Sequence, residues 1–234
     1  SSAYVGRPLS AAATVQYAPL VRSNHGGDSL IAIANAHDRA VDVTVEYRGA
    51  SFSASGAGET FSQSFSIARH GSAFVDLSDR GRGSEPSPDL PRGGTVGSGF
   101  VGSAVITASG PVLAAVQDEQ RADGIVDSVS AYNAYGPRDF GSRFGVTGVR
   151  KLTGYQSTSL LVYNPGADPI EVTAELYDDY DEPSGEVTTV IPGRDLTRVD
   201  LAGTANFPPG VGRAVAHGTG PFAALVGHAA RHPQ

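Results

Sequence analysis

Apolar and polar residues alternate along most of the chain with a period of two, which is the spacing of a half-buried β-strand. The alternation is clearest at 41–47, VDVTVEY, where apolar side chains are separated by Asp42, Thr44 and Glu46. Short segments of this kind recur along the chain, and clusters of Gly, Pro, Asn, Asp and Ser separate them. The pattern therefore predicts an all-β protein built from many short antiparallel strands.

The segment at 102–116, GSAVITASGPVLAAV, reads as two apolar strands, 104–108 and 112–116, separated by a tight turn at Ser109-Gly110-Pro111. The segment at 212–226, GRAVAHGTGPFAALV, repeats it at a constant shift of 110 residues. A tight turn of this kind favours glycine because glycine adopts positive φ without steric cost. We therefore expect that Gly110 and its counterpart Gly220 tolerate no β-branched residue.

Two further blocks repeat in the same order, 29–48 with 158–177 and 67–77 with 191–201, at shifts of 129 and 124 residues. Because the shift changes only in loops, the blocks indicate an internal duplication of a small domain. The sequence predicts two tandem antiparallel β-sandwich domains, immunoglobulin-like or jelly-roll-like. The expected divisions are an N-terminal arm at 1–14, repeat one at 15–136, a linker at 137–143 and repeat two at 144–234.

The repeats differ in their last strand, because the strand expected at 125–135 in repeat one has no counterpart in repeat two. An open sheet edge invites pairing with another strand, and the arm at 1–14 has no place in the repeat. We hypothesise that the arm of one subunit completes domain two of the next. The subunit interface would then include Tyr4, Val5, Leu9, Val226 and His228. The alternative is that the arm folds back on its own domain one.

The composition narrows the classes of function. The 234 residues include no Cys, Met or Trp, and the formal net charge is −7. Without Cys there is no disulfide, thiolate metal site or Cys nucleophile, and the acidic balance argues against a nucleic acid or an anionic membrane as partner. No apolar run is long enough to span a bilayer. We interpret the start Ser-Ser-Ala as a mature chain after leader removal, and expect an extracellular or cell-surface location.

Three patterns in the sequence are candidate sites. The glycines at 97–102 match GxGxxG, but a strand follows them where a dinucleotide site needs a helix. The carboxylates at 178–186 lack the spacing of a calcium loop, so a solvated turn is favoured. His217 and His228 are expected in neighbouring strands, where a zinc pair is conceivable, although no Cys or His-rich tract supports it. There is no GxSxG elbow. We expect no catalytic residue, metal or cofactor, and no enzyme activity.

The runs GFVGSAV at 99–105 and GPVLAAV at 110–116, followed by Tyr132-Asn133, resemble repeats of secreted bacterial cell-surface proteins. Asn35 and Asn164-Pro165-Gly166 fit the hairpins of those repeats. The resemblance covers most of both repeats, although repeat two departs from it at Gly210 and lacks the terminal strand. It implies exported β-sandwich modules of adhesive or structural role, with no catalytic residues to transfer.

These features favour an extracellular structural subunit that forms a homopolymer, as a filament or surface layer, by donor-strand exchange. The alternative is a cell-surface adhesin or carbohydrate-binding module with surface glycans as partners. It would use the insertion at 79–99, which repeat two nearly lacks, or exposed tyrosines such as Tyr177 and Tyr180. A non-catalytic domain of a larger enzyme is the third possibility.

Overall fold

The computed structural model describes residues 6–78, 80–93, 98–122, 125–153, 156–201 and 209–230. The chain divides into two compact units, Ser1–Asp139 and Phe140–Gln234, and each unit has its own apolar core. In the described residues, the regular structure consists of β-strands and one short 3-10 helix at Leu9–Ala11. The two units confirm the predicted all-β fold with two tandem antiparallel sandwiches.

The described residues of the first unit form seven strands: β1 (Ala13–Ser23), β2 (Gly27–Asn35), β3 (Val41–Gly49), β4 (Thr60–Ile67), β5 (Ser72–Asp76), β6 (Phe100–Ala122) and β7 (Ile125–Asn133). The first half of β6, 100–108, lies between β1 and β3, and its second half, 112–122, lies between β2 and β7. Strands β4 and β5 extend the two layers by pairing with β3 and β2. The long strand β6 therefore belongs to both layers of the sandwich.

In the second unit six strands lie within the described part of the chain: β8 (Gly141–Thr153), β9 (Gln156–Tyr163), β10 (Ile170–Tyr177), β11 (Pro183–Ile191), β12 (Leu196–Asp200) and β13 (Gly210–Ala230). Strand β13 takes the place of β6, because its first half lies between β8 and β10 and its second half pairs with β9. Strands β11 and β12 pair with β10 and β9. Strands β8–β13 thus repeat β1–β6 in order and in these pairings, and β8 pairs in addition with the start of β9. Strand β1 begins inside the segment expected as arm, and β8 begins inside the expected linker.

The duplication extends to buried hydrogen bonds in the hairpin between the second and third strands of each unit. The Asn35 side-chain amide lies within 2.7–3.2 Å of three backbone oxygens that accept from it, those of Arg39, Ile67 and Ala68. The amide of Asn164 makes the same three contacts in the second unit, to Asp168, Ile191 and Pro192. Each asparagine ties the hairpin to the strand that follows it, which explains why both repeats carry it.

The tight turns expected at Gly110 and Gly220 are not formed. Strand β6 runs through Gly110, β13 runs through Gly220, and neither glycine has a positive φ. The reason for glycine is contact with the neighbouring hairpin. An added Cβ would lie 2.8 Å from Val41 Cγ1 at Gly110 and 2.8 Å from Ile170 Cγ2 at Gly220. Each glycine therefore marks the point where a long strand changes partners and a neighbouring side chain passes close to its backbone.

Candidate functional site

The second half of β13 has a strand on one side only. Strand β9 pairs with it from Ala223 to Ala230, and among the described residues no strand lies on its other side. In the first unit, β7 covers that side by pairing with β6 from Ala115 to Ala122. Since the two long strands correspond at a shift of 110, the uncovered segment is 225–230. This agrees with the missing strand that the repeat predicted.

Other strands also pair on one side, but these edges are shared by the two units. Strands β4 and β5 end the layers of the first unit, as β11 and β12 end those of the second. Those edges are therefore ordinary ends of the sandwich. The edge at 225–230, called here the open edge, is different: β7 covers the equivalent position of the first unit, and no strand covers it in the described part of the second.

The open edge presents the backbone groups of alternate residues. In the first unit Ala134, the residue that follows β7, donates its N–H to the carbonyl oxygen of Ala114 at 2.9 Å. The backbone groups of Ala114 therefore face β7. Backbone direction alternates along an antiparallel strand, so Val116 faces the same way. The equivalent residues of β13 whose backbone groups face the open edge are Ala224, Val226 and His228. Val226 and His228 are two of the interface residues predicted from the sequence.

The core of the second unit becomes exposed along the same half-strand. Phe222 is fully buried, Ala224 is half-buried against the core, and Val226 is 44% exposed. Val116, the equivalent of Val226, is 0% exposed. In the first unit Tyr132 lies opposite Val116 and packs against the core, and this cover has no counterpart among the described residues of the second unit.

Tyr132 is held by the backbone of β1. Its hydroxyl donates to the carbonyl oxygen of Leu20 at 2.5 Å and accepts from the N–H of Leu20 at 3.1 Å. Burial raises the pKa of this hydroxyl, so the tyrosine stays neutral. Leu20 lies in an irregularity of β1 between Ala18 and Val21, and its side chain is only 7% exposed.

The matching irregularity of β8 contains Gly148 instead of a leucine. Gly148 has a φ of 70°, and an added Cβ would meet no heavy atom within 4 Å. Among its described residues, the second unit therefore lacks both the leucine side chain and the tyrosine ring that fill this region of the first. The sequence pattern alone did not identify Gly148 as part of this site. An alignment of β8 with β1 identifies it, because Gly148 then corresponds to Leu20.

The open edge also lacks charge. Residues 222–230, FAALVGHAA, contain no Asp, Glu, Lys or Arg, whereas the covered strand at 112–120, VLAAVQDEQ, contains Asp118 and Glu119. Proteins commonly protect exposed edge strands with charged side chains or Pro, because unpaired backbone groups recruit other strands. In this protein the charged residues lie on the strand that β7 already covers, and the open edge has none.

The predicted donor arm is only partly described. Tyr4 and Val5 lie outside the described residues. Leu9 lies in the 3-10 helix with its side chain 73% exposed, and Arg7 Nη2 lies 2.6 Å from Asp139 Oδ2 of the first unit. The described part of the arm thus contacts its own domain one, as the fold-back alternative predicts for these residues. A donor strand would have to come from residues 1–5.

The two histidines considered as a zinc pair do not face each other from neighbouring strands. His217 and His228 both lie on β13, eleven residues apart, which is about 36 Å of extended strand. His217 Nδ1 lies 3.9 Å from Glu175 Oε1. Among the residues that the structure describes, no group of three His, Cys, Asp or Glu side chains is placed to hold a metal ion. The expectation failed because it assumed a turn at Gly220.

The acidic turn at 178–186 uses its carboxylates locally. Asp178 Oδ1 accepts from the backbone N–H groups of Tyr180 and Glu182 at 2.9 and 3.0 Å, and Asp181 Oδ1 accepts from Arg213 Nε at 2.5 Å. The same Arg213 guanidinium lies 3.9 Å from the centroid of the Tyr177 ring. One face of Tyr177 is therefore occupied, and Tyr180, which is 81% exposed, is the more available aromatic group for a sugar.

The insertion at 79–99 packs on the first unit in its described residues. Leu90 is 3% exposed, and Arg82 forms ion pairs with the buried Asp76 at 3.1 Å and with Glu119 at 2.5 Å. Burial favours the protonated form of Asp76, but hydrogen bonds from Arg82 and Ser78 outweigh it and lower the pKa of this carboxyl to about 2. The insertion is thus anchored to its own unit.

No protein-family model matches the chain, and no curated protein and no solved structure is significantly similar to it. Within the part of the chain that the structure describes, no helical segment has the length and apolar character of a membrane span.

Proposed function

We propose that this chain is an extracellular structural subunit that self-assembles, as a filament or surface layer, by donating a strand from one copy to the open edge of the next. The observation that carries the proposal is the contrast between Val116, which is fully buried, and Val226, which is 44% exposed at the same position of the duplicated fold. A duplicated sandwich that keeps its core pattern but leaves one edge uncovered fits a fold completed by another strand.

The magnitude of this exposure shows what a partner strand must supply. Fully burying a valine side chain contributes about 1.5–3 kcal/mol, so covering the exposed 44% of Val226 contributes about 1 kcal/mol. That amount is too small to offset the entropy lost on association. Backbone pairing along the edge and a large side chain inserted beside Val226 must therefore provide most of the affinity.

The positions of donor and acceptor predict how assembly proceeds. The arm is joined to the first unit at β1, and the open edge belongs to the second unit. A contact between different surfaces of identical subunits is heterologous, so each added subunit presents a new open edge unless the rotation closes a ring. A filament is the expected product of this geometry.

The experiment compares the full chain with Val226→Glu, by light scattering and negative-stain microscopy over a range of protein concentrations. The control is Val190→Glu, because Val190 is 59% exposed on β11, an edge that both units share. We expect the wild-type chain and Val190→Glu to form filaments and Val226→Glu to stay monomeric with an unchanged circular dichroism spectrum. A wild-type chain that stays monomeric throughout, or assembly that survives Val226→Glu, contradicts the proposal.

Exposure of Tyr180 favours glycan binding as the second candidate function. Its side chain is 81% exposed beside the acidic turn, where an aromatic ring can stack on a sugar. A glycan array with the wild-type chain and Tyr180→Ala tests it. Binding that Tyr180→Ala abolishes supports an adhesin, and an array without any bound glycan refutes it.

A further inference from the structure

We propose that residues 1–5 of one chain pair with residues 225–229 of a second copy, in the register that places Tyr4 opposite Val226. This inference rests on the proposed function and names the donor, the acceptor and their alignment. In this arrangement Tyr4 takes the position that Tyr132 occupies in the first unit.

The donor carries the sequence of the missing strand. Ser2-Ala3-Tyr4 repeats Ser130-Ala131-Tyr132 of β7, and this tripeptide occurs nowhere else in the chain. Strand β7 is the strand that covers β6 and has no counterpart on β13 in the described residues. The arm thus repeats three residues of β7, including Tyr132, which packs against the core of the first unit.

The register follows from the pairing in the first unit. There Ser130, Ala131 and Tyr132 lie opposite Asp118, Gln117 and Val116. A shift of 110 residues converts these acceptors into His228, Gly227 and Val226. Matching the tripeptides therefore places Ser2 opposite His228, Ala3 opposite Gly227 and Tyr4 opposite Val226. The next pair along the strand is Val5 and Leu225.

The side chains fit this register. A tyrosine ring opposite Val226 covers the apolar surface that is 44% exposed in the single chain. The space around Gly148 is open, since a Cβ there meets no heavy atom within 4 Å, and the corresponding region of the first unit is where Leu20 holds the Tyr132 hydroxyl. Ala3 on the donor and Gly227 on the acceptor lie opposite each other beside this pair, and both are small.

A second copy is the favoured source of the donor because the arm is short. Pairing uses all of residues 1–5, which leaves Gly6 as the link to Arg7, and Arg7 is bound to Asp139 of its own first unit. Five residues extend over about 17 Å at most. A separate molecule can bring its open edge to the arm, whereas pairing within one chain requires that edge to lie within the reach of residues 1–6.

Cysteine cross-linking tests the register, because the natural chain contains no Cys. The test variant carries Val5→Cys with Leu225→Cys, and the control carries Val5→Cys with Gly227→Cys. Cα atoms of directly opposite residues lie about 4.5–5.5 Å apart, within disulfide range, whereas a shift of two residues gives about 7–8 Å. Under mild oxidation we expect a ladder of linked chains from the test variant, and several-fold less from the control.

The outcomes separate this inference from the proposed function. Filaments with cross-links in the control pair, or with none in either pair, overturn the register but leave assembly standing. A cross-link that forms only within single chains contradicts the proposal that the donor strand comes from a second copy. Failure of the wild-type chain to assemble overturns both the function and the inference.

The role of the Tyr4 ring has its own test in the full chain. We expect Tyr4→Ser to raise the concentration needed for assembly by about tenfold or more, as for an interface residue that fills a pocket. Tyr4→Phe keeps the ring and should retain most of the assembly, and Tyr180→Ser serves as the control for loss of an exposed tyrosine. A peptide of residues 1–7 should inhibit assembly by occupying open edges, and the same peptide with Tyr4→Ser should not. Equal assembly by Tyr4→Ser and the wild-type chain refutes the assignment of Tyr4.

Discussion

Replacing Asn35 with Asp tests whether this buried amide holds the first sandwich together. The side chain is 4% exposed, its Nδ2 contacts three backbone carbonyl oxygens, and its Oδ1 accepts from the N–H of His37 at 2.8 Å. Aspartate has the same shape but puts a carboxylate oxygen against the three carbonyl oxygens. Asn35→Ala removes the amide without adding charge, and so separates lost hydrogen bonds from repulsion.

The amide has two hydrogens for its three acceptors, and its Oδ1 accepts one further hydrogen bond from His37, so Asn35→Ala removes about three hydrogen bonds. At about 1 kcal/mol each, the free energy of unfolding of the first unit should fall by about 3 kcal/mol, and Tm by roughly 10 °C. Asn35→Asp should lose more at pH 7, because burial and the carbonyl oxygens favour the protonated acid and raise its pKa in the folded state. The exposed exchange Asp42→Asn on the same hairpin should change the free energy by about 0.5 kcal/mol or less.

Thermal and urea unfolding, followed by circular dichroism between pH 7 and pH 4, measures these differences. A carboxyl whose folded-state pKa exceeds its unfolded value of about 3.9 destabilises the fold above the folded-state pKa, and this loss diminishes as the pH falls toward the unfolded value. The gap between Asn35→Asp and the wild-type chain should therefore narrow on acidification, while the gap for Asn35→Ala stays nearly constant. An Asn35→Asp variant as stable as the wild-type chain at pH 7 refutes the reasoning.

Two further predictions concern packing and charge. Gly110→Val should destabilise the first unit by about 1–3 kcal/mol because its Cβ meets Val41, whereas Gly145→Val in β8 should be tolerated because an added Cβ there meets nothing within 4 Å; equal urea midpoints for the two variants would contradict this. Arg82→Ala removes a group that lowers the pKa of Asp76 to about 2. A lowered carboxyl pKa stabilises the fold above the unfolded pKa of about 3.9 and loses that effect as the pH falls toward 2. The stability lost in Arg82→Ala should therefore be largest above pH 4 and shrink toward pH 2, and a loss that is independent of pH would show that Asp76 does not depend on Arg82.

The alternation of side chains predicted much of this fold because it records burial directly. In β3 every second residue from Val41 to Tyr47 is buried and the residues between them are exposed or half-buried, as the sequence pattern indicates. The repeat then predicted which strands correspond, since a duplicated fold keeps its core positions. Paired strands and matching asparagines in the two units follow from the same sequence blocks.

The error at Gly110 has a physical cause that no local pattern reveals. A Ser-Gly-Pro segment between apolar runs is compatible with a turn and also with one long strand that changes partners. The choice is made by contacts with β1, β2 and β3, which come from distant parts of the chain. The mistaken placement of His217 and His228 followed from the same assumption.

The candidate site was predictable in part. The repeat predicted the missing strand, and Val226 and His228 do lie where the open edge is found. The exposure of Val226 and the open space at Gly148 depend on packing between layers, which the sequence does not display. Leu9 lies in a 3-10 helix, which the alternation of side chains in the arm does not indicate.

Mixing two blocked variants tests the central claim most directly. Tyr4→Ser keeps the open edge but weakens the donor, and Val226→Glu keeps the donor but blocks the open edge. Each variant alone should remain monomeric at a concentration where the wild-type chain assembles. Mixed in equal amounts, they should form a 1:1 complex of about twice the 24.0 kDa mass of one chain and should not form filaments. A mixture that remains monomeric by multi-angle light scattering, or that forms filaments, contradicts strand donation from one copy to the next.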